Sequence, residues 1–369
     1  MSTKYLLIFF SVLAIYIVTT HIIYQLTRGS NETTRSQTLR INLHLEDNHC
    51  QPRNSIVLAK THKTGGSTLG TIIARYGYER NLTFALPSTG FILGYQTFSQ
   101  EMLLRQPTDE GFNVLVNHVP FHRANMEKVM KPTAKYVTIL REPVSRWYSV
   151  VEYYSLFKLA LRLTKEQYGA IKTSPLDDFL SAIAKCKYFS CSLGYNGQLF
   201  DLGLTENVYY TDEQAIQKKI KTIEEELDLV LIAEYFDESL LLLKKMMCWT
   251  FEDIMYIKKK QRRNVSREPT RIEQANAIRK WNKGDVMLYQ RFNRTLWNKI
   301  NKYGPNFQKD LRRFREMNDV TTKSCVNTTS SDINGNYILQ NRSDLCQNLN
   351  RDIRPYTEML VKIVNMRGQ

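Results

Sequence analysis

The sequence predicts an α/β fold: a central parallel sheet flanked by helices. Four short runs, residues 56–59, 114–117, 136–140 and 229–233, have strand length and are largely apolar without alternation. That is the pattern of strands buried on both faces. Segments with helical spacing of apolar residues follow or separate them, at about 66–76, 143–158, 237–249, 284–303 and 305–317. Two of the strands also run straight into residues suited to a helix start. After the first come small residues, and after the third comes Pro143, whose missing N–H costs nothing in a first turn.

Along the chain, the first distinct element is residues 5–26. They hold about twenty mostly apolar residues, interrupted by His21, enough to cross a bilayer. We read them as an uncleaved signal-anchor helix, with residues 1–4 as a cytosolic tail. A cleaved signal peptide is the rival reading, but no small-x-small site follows. Lys4 against Arg28 and Arg35 gives little charge asymmetry across the span. Residues 27–49 are polar and rich in Ser, Thr and Asn, as in a flexible luminal stem. Residues 50–369 then form the luminal domain. The N-x-[ST] sequons support that side of the membrane, since all lie after the apolar run: Asn31, Asn81, Asn264, Asn293, Asn327 and Asn341. Asn293 falls inside an expected helix and is set apart from the other five. Six cysteines, Cys50, Cys186, Cys191, Cys248, Cys325 and Cys346, fit an oxidising compartment. They show no zinc spacing, and no metal is expected. Proximity suggests the pairs Cys325–Cys346 and Cys186–Cys191, and Cys248 equally suits a buried free thiol.

The first strand leads into Lys60-Thr61-His62-Lys63-Thr64-Gly65-Gly66-Ser67-Thr68, and Leu69, Ile72 and Ile73 then start a helix. A strand, a tight small-residue loop and a helix N-terminus form a cradle for a phosphate. A Walker loop places its lysine after the glycines. Here Lys63 precedes Gly65 and Gly66, which argues against an ATP- or GTP-binding loop and a P-loop kinase. Beyond the third strand, Arg141 and Ser149 offer a guanidinium and a hydroxyl to a second phosphate. Arg146 could join them or pair with Glu142 at i,i+4. His118 follows the second strand directly. The run Lys258-Lys259-Lys260-Gln261-Arg262-Arg263 reads as a solvated basic loop. Asp237, Glu238 and Glu234 suit the start of the helix after the fourth strand and are read as structural. Leu240–Leu243, Met246 and Met247 are core. The net charge of +15 would fit nucleic acid, but a luminal anchor excludes it and leaves anionic nucleotides, sugars and membrane surfaces.

The loop resembles the 5′-phosphosulfate loop of sulfotransferases, which use PAPS (3′-phosphoadenosine 5′-phosphosulfate). The pattern Leu140-Arg141-x-Pro143-x-x-Arg146-x-x-Ser149 resembles their 3′-phosphate site. Further matches narrow this to the galactose-3-O-sulfotransferase family, which includes galactosylceramide sulfotransferase. They are Asn117-His118 with Phe121-His122, Tyr235 to Leu240 before Cys248-Trp249, and Trp281-Asn282 with Asp285, Leu288-Tyr289 and Phe292 to Trp297. The resemblance covers roughly residues 50–319 and is poor over 160–200. That family often has Ala or Ser where this chain has Gly65 and Gly66.

The resemblance implies a P-loop-like sulfotransferase fold with PAPS as sulfate donor and no metal. It implies a single-pass type II protein of the Golgi membrane, and a galactose-terminated glycolipid or glycan as acceptor. A homodimer is compatible with the sequence. Lys63 would meet the leaving 5′-phosphate, with Lys60 assisting or packing, and Thr64, Gly65, Gly66, Ser67 and Thr68 as the cradle. Arg141 and Ser149 would serve the 3′-phosphate, with Arg262 and Arg263 closing over it. His118 would be the general base, because imidazole titrates near working pH. His62 would orient the sulfate or acceptor, and His122 is a weaker alternative base. A membrane-anchored glycan-binding protein that keeps the fold without turnover is the competing reading.

Overall fold

Every residue of Ile56–Ala59 (β1), Val114–Leu115 (β2) and Leu229–Ile232 (β4) is buried, as is all but the first residue of Lys135–Leu140 (β3). Neighbouring side chains on a strand point to opposite faces, so this burial means that both faces of the sheet are covered. The computed structural model describes residues 50–105, 108–156, 189–204, 212–257, 272–331 and 337–366. The chain divides into two units, Met1–Gln51 and Pro52–Gln369, and the sheet belongs to the second. All four strands pair in parallel, in the order β2-β1-β3-β4. Val57 lies opposite Leu115 on one side and Tyr136 on the other, and Thr138 opposite Val230. The chain winds from β1 towards one edge and from β3 towards the other. The reversal falls between β1 and β3, and the crevice beyond their carboxyl ends is where such sheets bind ligands.

The helices in chain order are Gly66–Glu79 (α1), Arg123–Glu127 (α2), Pro143–Tyr153 (α3), Phe189–Ser192 (α4), Gly197–Asp201 (α5) and Glu213–Glu226 (α6). Then come Phe236–Met247 (α7), Phe251–Ile254 (α8), Ile272–Trp281 (α9), Lys283–Tyr303 (α10) and Phe307–Cys325 (α11). A hairpin, Val326–Ser331 (β5) with Tyr337–Leu339 (β6), leads to Asp344–Asn350 (α12) and Ile353–Met366 (α13). The five helices expected from periodicity are α1, α3, α7, α10 and α11. Pro143 is in the first turn of α3, and the Glu142 side chain caps it by accepting the Ser145 N–H at 2.8 Å. Leu240–Leu243 and Met247 are buried, as a core segment should be. Asp237 and Glu238 pair with Arg315, and Glu234 accepts the Glu142 N–H and the Tyr289 hydroxyl.

The sequence missed α6, whose face of Ile216, Ile220 and Ile223 is buried and whose N-cap is Asp212. Two strands are shorter than expected. β2 ends at Leu115, two residues before Asn117, whose side-chain amide donates to the Phe91 carbonyl and the Thr357 hydroxyl, and Ala233 opens a 3₁₀ turn after β4. The C-terminal helix α13 packs on α1.

Cys325 and Cys346 form a disulfide, with Cα atoms 5.1 Å apart, that joins the end of α11 to α12. Cys50, Cys191 and Cys248 are also disulfide-bonded, which overturns the free-thiol reading of Cys248. Cys186 lies outside the described residues. So do the expected anchor at 5–26, the stem at 27–49, Arg262, Arg263, Asn31 and Asn264. Among the described residues no helix is long and apolar enough to cross a membrane. Asn81 and Asn341 are exposed, Asn327 is half-buried, and Asn293 lies within α10 with its side-chain oxygen buried.

The Cys325–Cys346 bridge spans a separation of 21 residues. Replacing both cysteines by serine should cost about 2–4 kcal/mol of stability. Thermal unfolding without reductant should show a clear fall in Tm.

Candidate active site

The loop after β1 turns sharply. Lys63 and Gly65 both have left-handed backbones, at φ 63° and 92°. Gly65 suits that conformation because it lacks a Cβ. The loop is pinned from within. The Thr61 hydroxyl meets the Thr64 hydroxyl at 2.7 Å and also donates to the Ile139 carbonyl on β3, while Thr64 Oγ1 donates to the Thr61 carbonyl at 3.1 Å. The Thr64 side chain is therefore enclosed in the loop's own network. Ser67 is exposed and Thr68 half-buried. Helix α1 starts without a side-chain cap and without an acidic residue in its first turn. The buried Lys60 stem crosses that start: a Cβ on Gly66 would sit 3.1 Å from Lys60 Cγ and 3.6 Å from Cε. Gly66 is what allows the approach.

The loop after β3 closes on the first. Arg141 donates through Nε to the Ser145 hydroxyl at 3.0 Å and through Nη1 to the Lys63 carbonyl at 3.2 Å. Ser149 is buried on the same helix. Arg146 does not follow the Glu142 pairing. It is buried, donates to the carbonyls of His62 (3.1 Å) and Leu193 (2.9 Å), and faces Asp285 at 3.8 Å. It is a brace between the loops.

The histidines meet beyond β1 and β2. The rings of His62 and His118 stack, with centroids 4.1 Å apart and planes 19° from parallel. Asp201 takes the His62 backbone N–H at 2.6 Å and lies 2.8 Å from its Nδ1. A carboxylate on Nδ1 fixes that proton there and leaves Nε2 as the acceptor nitrogen. His118 is half-buried as a residue, yet its Nδ1 is sealed from solvent and has no hydrogen-bond partner. His122 is exposed and caps α2, with Nδ1 accepting the Asn125 N–H at 3.3 Å.

Short helix α5 ties these parts together and was not foreseen. Gln198 grips the Arg141 backbone twice, accepting its N–H at 2.8 Å and donating to its carbonyl at 3.0 Å. Asp201, at the other end of α5, holds His62. The helix is itself seated on Asp285 and Asn282, which accept the N–H groups of Gln198, Leu199 and Asn196. The Asn282 and Asp285 motif was visible in the sequence, but nothing local indicated its target.

Burial pushes the His118 pKa well below 6.5, and its neighbours Lys60, His62 and Lys63 push it further. A hydrogen bond with the Lys60 backbone opposes this only in part. His118 is therefore neutral near pH 7. Lysine charge at the positive end of a helix, as at Lys60, is repelled by the helix dipole, and an anion seated there would relieve that repulsion and raise the His118 pKa. The Lys60–Thr68 segment thus fits a phosphate-bearing ligand. Among the described residues no cluster of His, Cys, Asp or Glu is placed to hold a metal.

A parallel sheet with a cationic, uncapped helix start at its switch point defines a class of α/β proteins that bind phosphate-bearing ligands there. The model of the galactose-3-O-sulfotransferase family matches residues 2–357, and the chain belongs to that family. It is 32% identical over 285 residues to galactosylceramide sulfotransferase of Bos taurus, covering 75% of this chain and 65% of the relative. The same protein of Homo sapiens gives 32% over 285 residues, again with 75% and 65% covered. Galactose-3-O-sulfotransferase 3 of Mus musculus gives 33% over 281 residues, with 73% and 63% covered. The chain thus spans slightly less than two-thirds of the length of these relatives.

A depressed His118 pKa has a definite linkage sign. Between the folded pKa and 6.5 the unfolded chain binds the proton and the folded one does not, so stability rises with pH in that window. It is lost as pH falls below about 6.5. Urea unfolding at a series of pH values should show this slope, and His118→Asn should flatten it.

Proposed function

We propose that the protein is a PAPS-dependent carbohydrate sulfotransferase that sulfates the 3-hydroxyl of a galactose on a glycolipid or glycoprotein glycan. The observation that carries this is an uncapped helix start crossed by Lys60 and preceded by the Lys63 loop, beside a histidine held neutral. PAPS supplies the sulfuryl group. The N–H groups of Gly66, Ser67 and Thr68, with Lys60 and Lys63, hold the 5′-phosphate and take up the charge it gains as its bond to sulfur breaks. Arg141 and Ser149, joined by Arg262 and Arg263, hold the 3′-phosphate. His118 accepts the proton from the galactose oxygen as the new S–O bond forms, and His62, fixed by Asp201, orients the acceptor. The names of the relatives and the family match support this reading.

Labelled PAPS offered with galactosylceramide, lactosylceramide and type 1 and type 2 disaccharides, followed by linkage analysis, tests it. Label on galactose O3 is the expected result, and no transfer to any acceptor would favour a glycan-binding protein without turnover. Lys63→Ala should nearly abolish turnover, because the charge it meets is greatest in the transition state. His118→Ala should lower kcat by roughly 10²–10⁴ and leave binding of PAP (3′-phosphoadenosine 5′-phosphate) close to normal. Loss of PAP binding in that variant would instead make His118 structural.

The apolar run at 5–26 and the sequons after it support a type II protein of the Golgi membrane with its catalytic domain in the lumen. Endoglycosidase treatment should increase gel mobility, and the C-terminus should resist protease in intact vesicles. Digestion of the C-terminus there would reverse the topology.

A further inference from the structure

Lys63 is not directed into solvent. Its Nζ lies 3.6 Å from the centroid of the Tyr153 ring. Tyr153 ends α3 and is 64% exposed, unusually open for a large aromatic residue beside a buried polar centre. Its ring is braced by the edge of Tyr154, with centroids 4.9 Å apart and planes at 81°. The Tyr154 ring lies 6.2 Å from His62, which stacks on His118. An unbroken series of rings therefore runs from an open aromatic face to the two histidines.

An open aromatic face next to a polar centre is suited to a sugar ring, which needs an apolar surface for its C–H groups and polar partners for its hydroxyls. β-Galactose fits this need. Its 4-hydroxyl is axial, so the hydrogens on C3, C4 and C5 make one apolar face beside the 3-hydroxyl. A cation and a sugar cannot cover the same part of the ring together. The Lys63 backbone is held by Arg141 on its carbonyl, so moving the amine off the ring needs only a change in the side chain.

We propose that Tyr153 is the stacking platform for the acceptor galactose, and that Lys63 occupies this platform until an anion in the loop draws it away. This rests on the sulfotransferase reading and adds an order to it. Donor binding moves Lys63 from the ring to the 5′-phosphate, and the acceptor then takes the vacated face. A galactoside and the nucleotide should therefore bind with positive coupling, equal in both directions.

Calorimetric titration with methyl β-galactoside, with and without saturating PAP, tests this on the purified protein. In the unaltered protein PAP should strengthen galactoside binding. Tyr153→Ala should weaken galactoside binding in the presence of PAP by about tenfold. Its PAP affinity should be unchanged or higher, which also shows that the variant is folded. Tyr153→Phe keeps the ring and should restore galactoside binding. Lys63→Met should bind galactoside without PAP as well as the unaltered protein does with it. Unchanged galactoside affinity in Tyr153→Ala would overturn the platform. A Lys63→Met variant that binds galactoside no better than the unaltered protein without PAP would overturn the gating. Failure of the unaltered protein to bind PAP would instead remove the sulfotransferase reading, and this inference with it.

Discussion

Asp285 is enclosed on all sides, and its two oxygens accept the N–H groups of Gln198 and Leu199 at 3.1 and 3.0 Å while facing Arg146 at 3.8 Å. Burial raises its pKa, and the arginine and the two N–H bonds oppose that rise. A buried ion pair is weak evidence for stability, but leaving one partner alone is costly. The geometric consequence is clearer than the energetic one. Through Arg146 this carboxylate fixes the carbonyl of His62, and through α5 it fixes Gln198 under Arg141 and Asp201 on His62. The two loops that would hold the two phosphates of one nucleotide thus share a single support. Their spacing is set by a residue that would touch neither phosphate.

Around that support the site is cationic. Lys60 crosses the start of α1, Lys63 lies in the loop before it, and the first turn of that helix has no acidic residue. Burial first, and these lysines after it, keep His118 neutral, while the lysines and the helix start favour an anion. The lysines therefore bear on both anion affinity and the protonation state of His118. Filling the loop with an anion would raise the proton affinity of the histidine.

Local features made much of this legible in the sequence. β1, β3, α1 and α3 follow from unbroken apolar runs, small residues at a turn and Pro143 in a first turn, all of which act within a few residues. The Cys325–Cys346 pair was legible because the two cysteines are close in the chain. What was not legible depends on distant partners. Gly197–Asp201 is too short to show a period, and its supports, Asn282 and Asp285, lie more than eighty residues on. Arg146 had a plausible partner in Glu142, but Glu142 caps α3 while Arg146 is drawn inward. Thr64 belongs to the loop as expected, yet its hydroxyl serves the loop itself. His122 shares its residue type with His118, and only tertiary structure shows that it caps a helix.

Asn117, next to His118, holds the Phe91 carbonyl with its amide and also donates to the Thr357 hydroxyl on α13, 240 residues further along the chain. The seat of the histidine is thus completed by a helix made long after the strand that carries it. While the polypeptide is being made, the early strands can pair and the first loop can turn. The histidine cannot settle until those 240 residues have been added. Chains that stop before α13 would then fold around an unfinished centre, so that competence waits for a partner far along the chain.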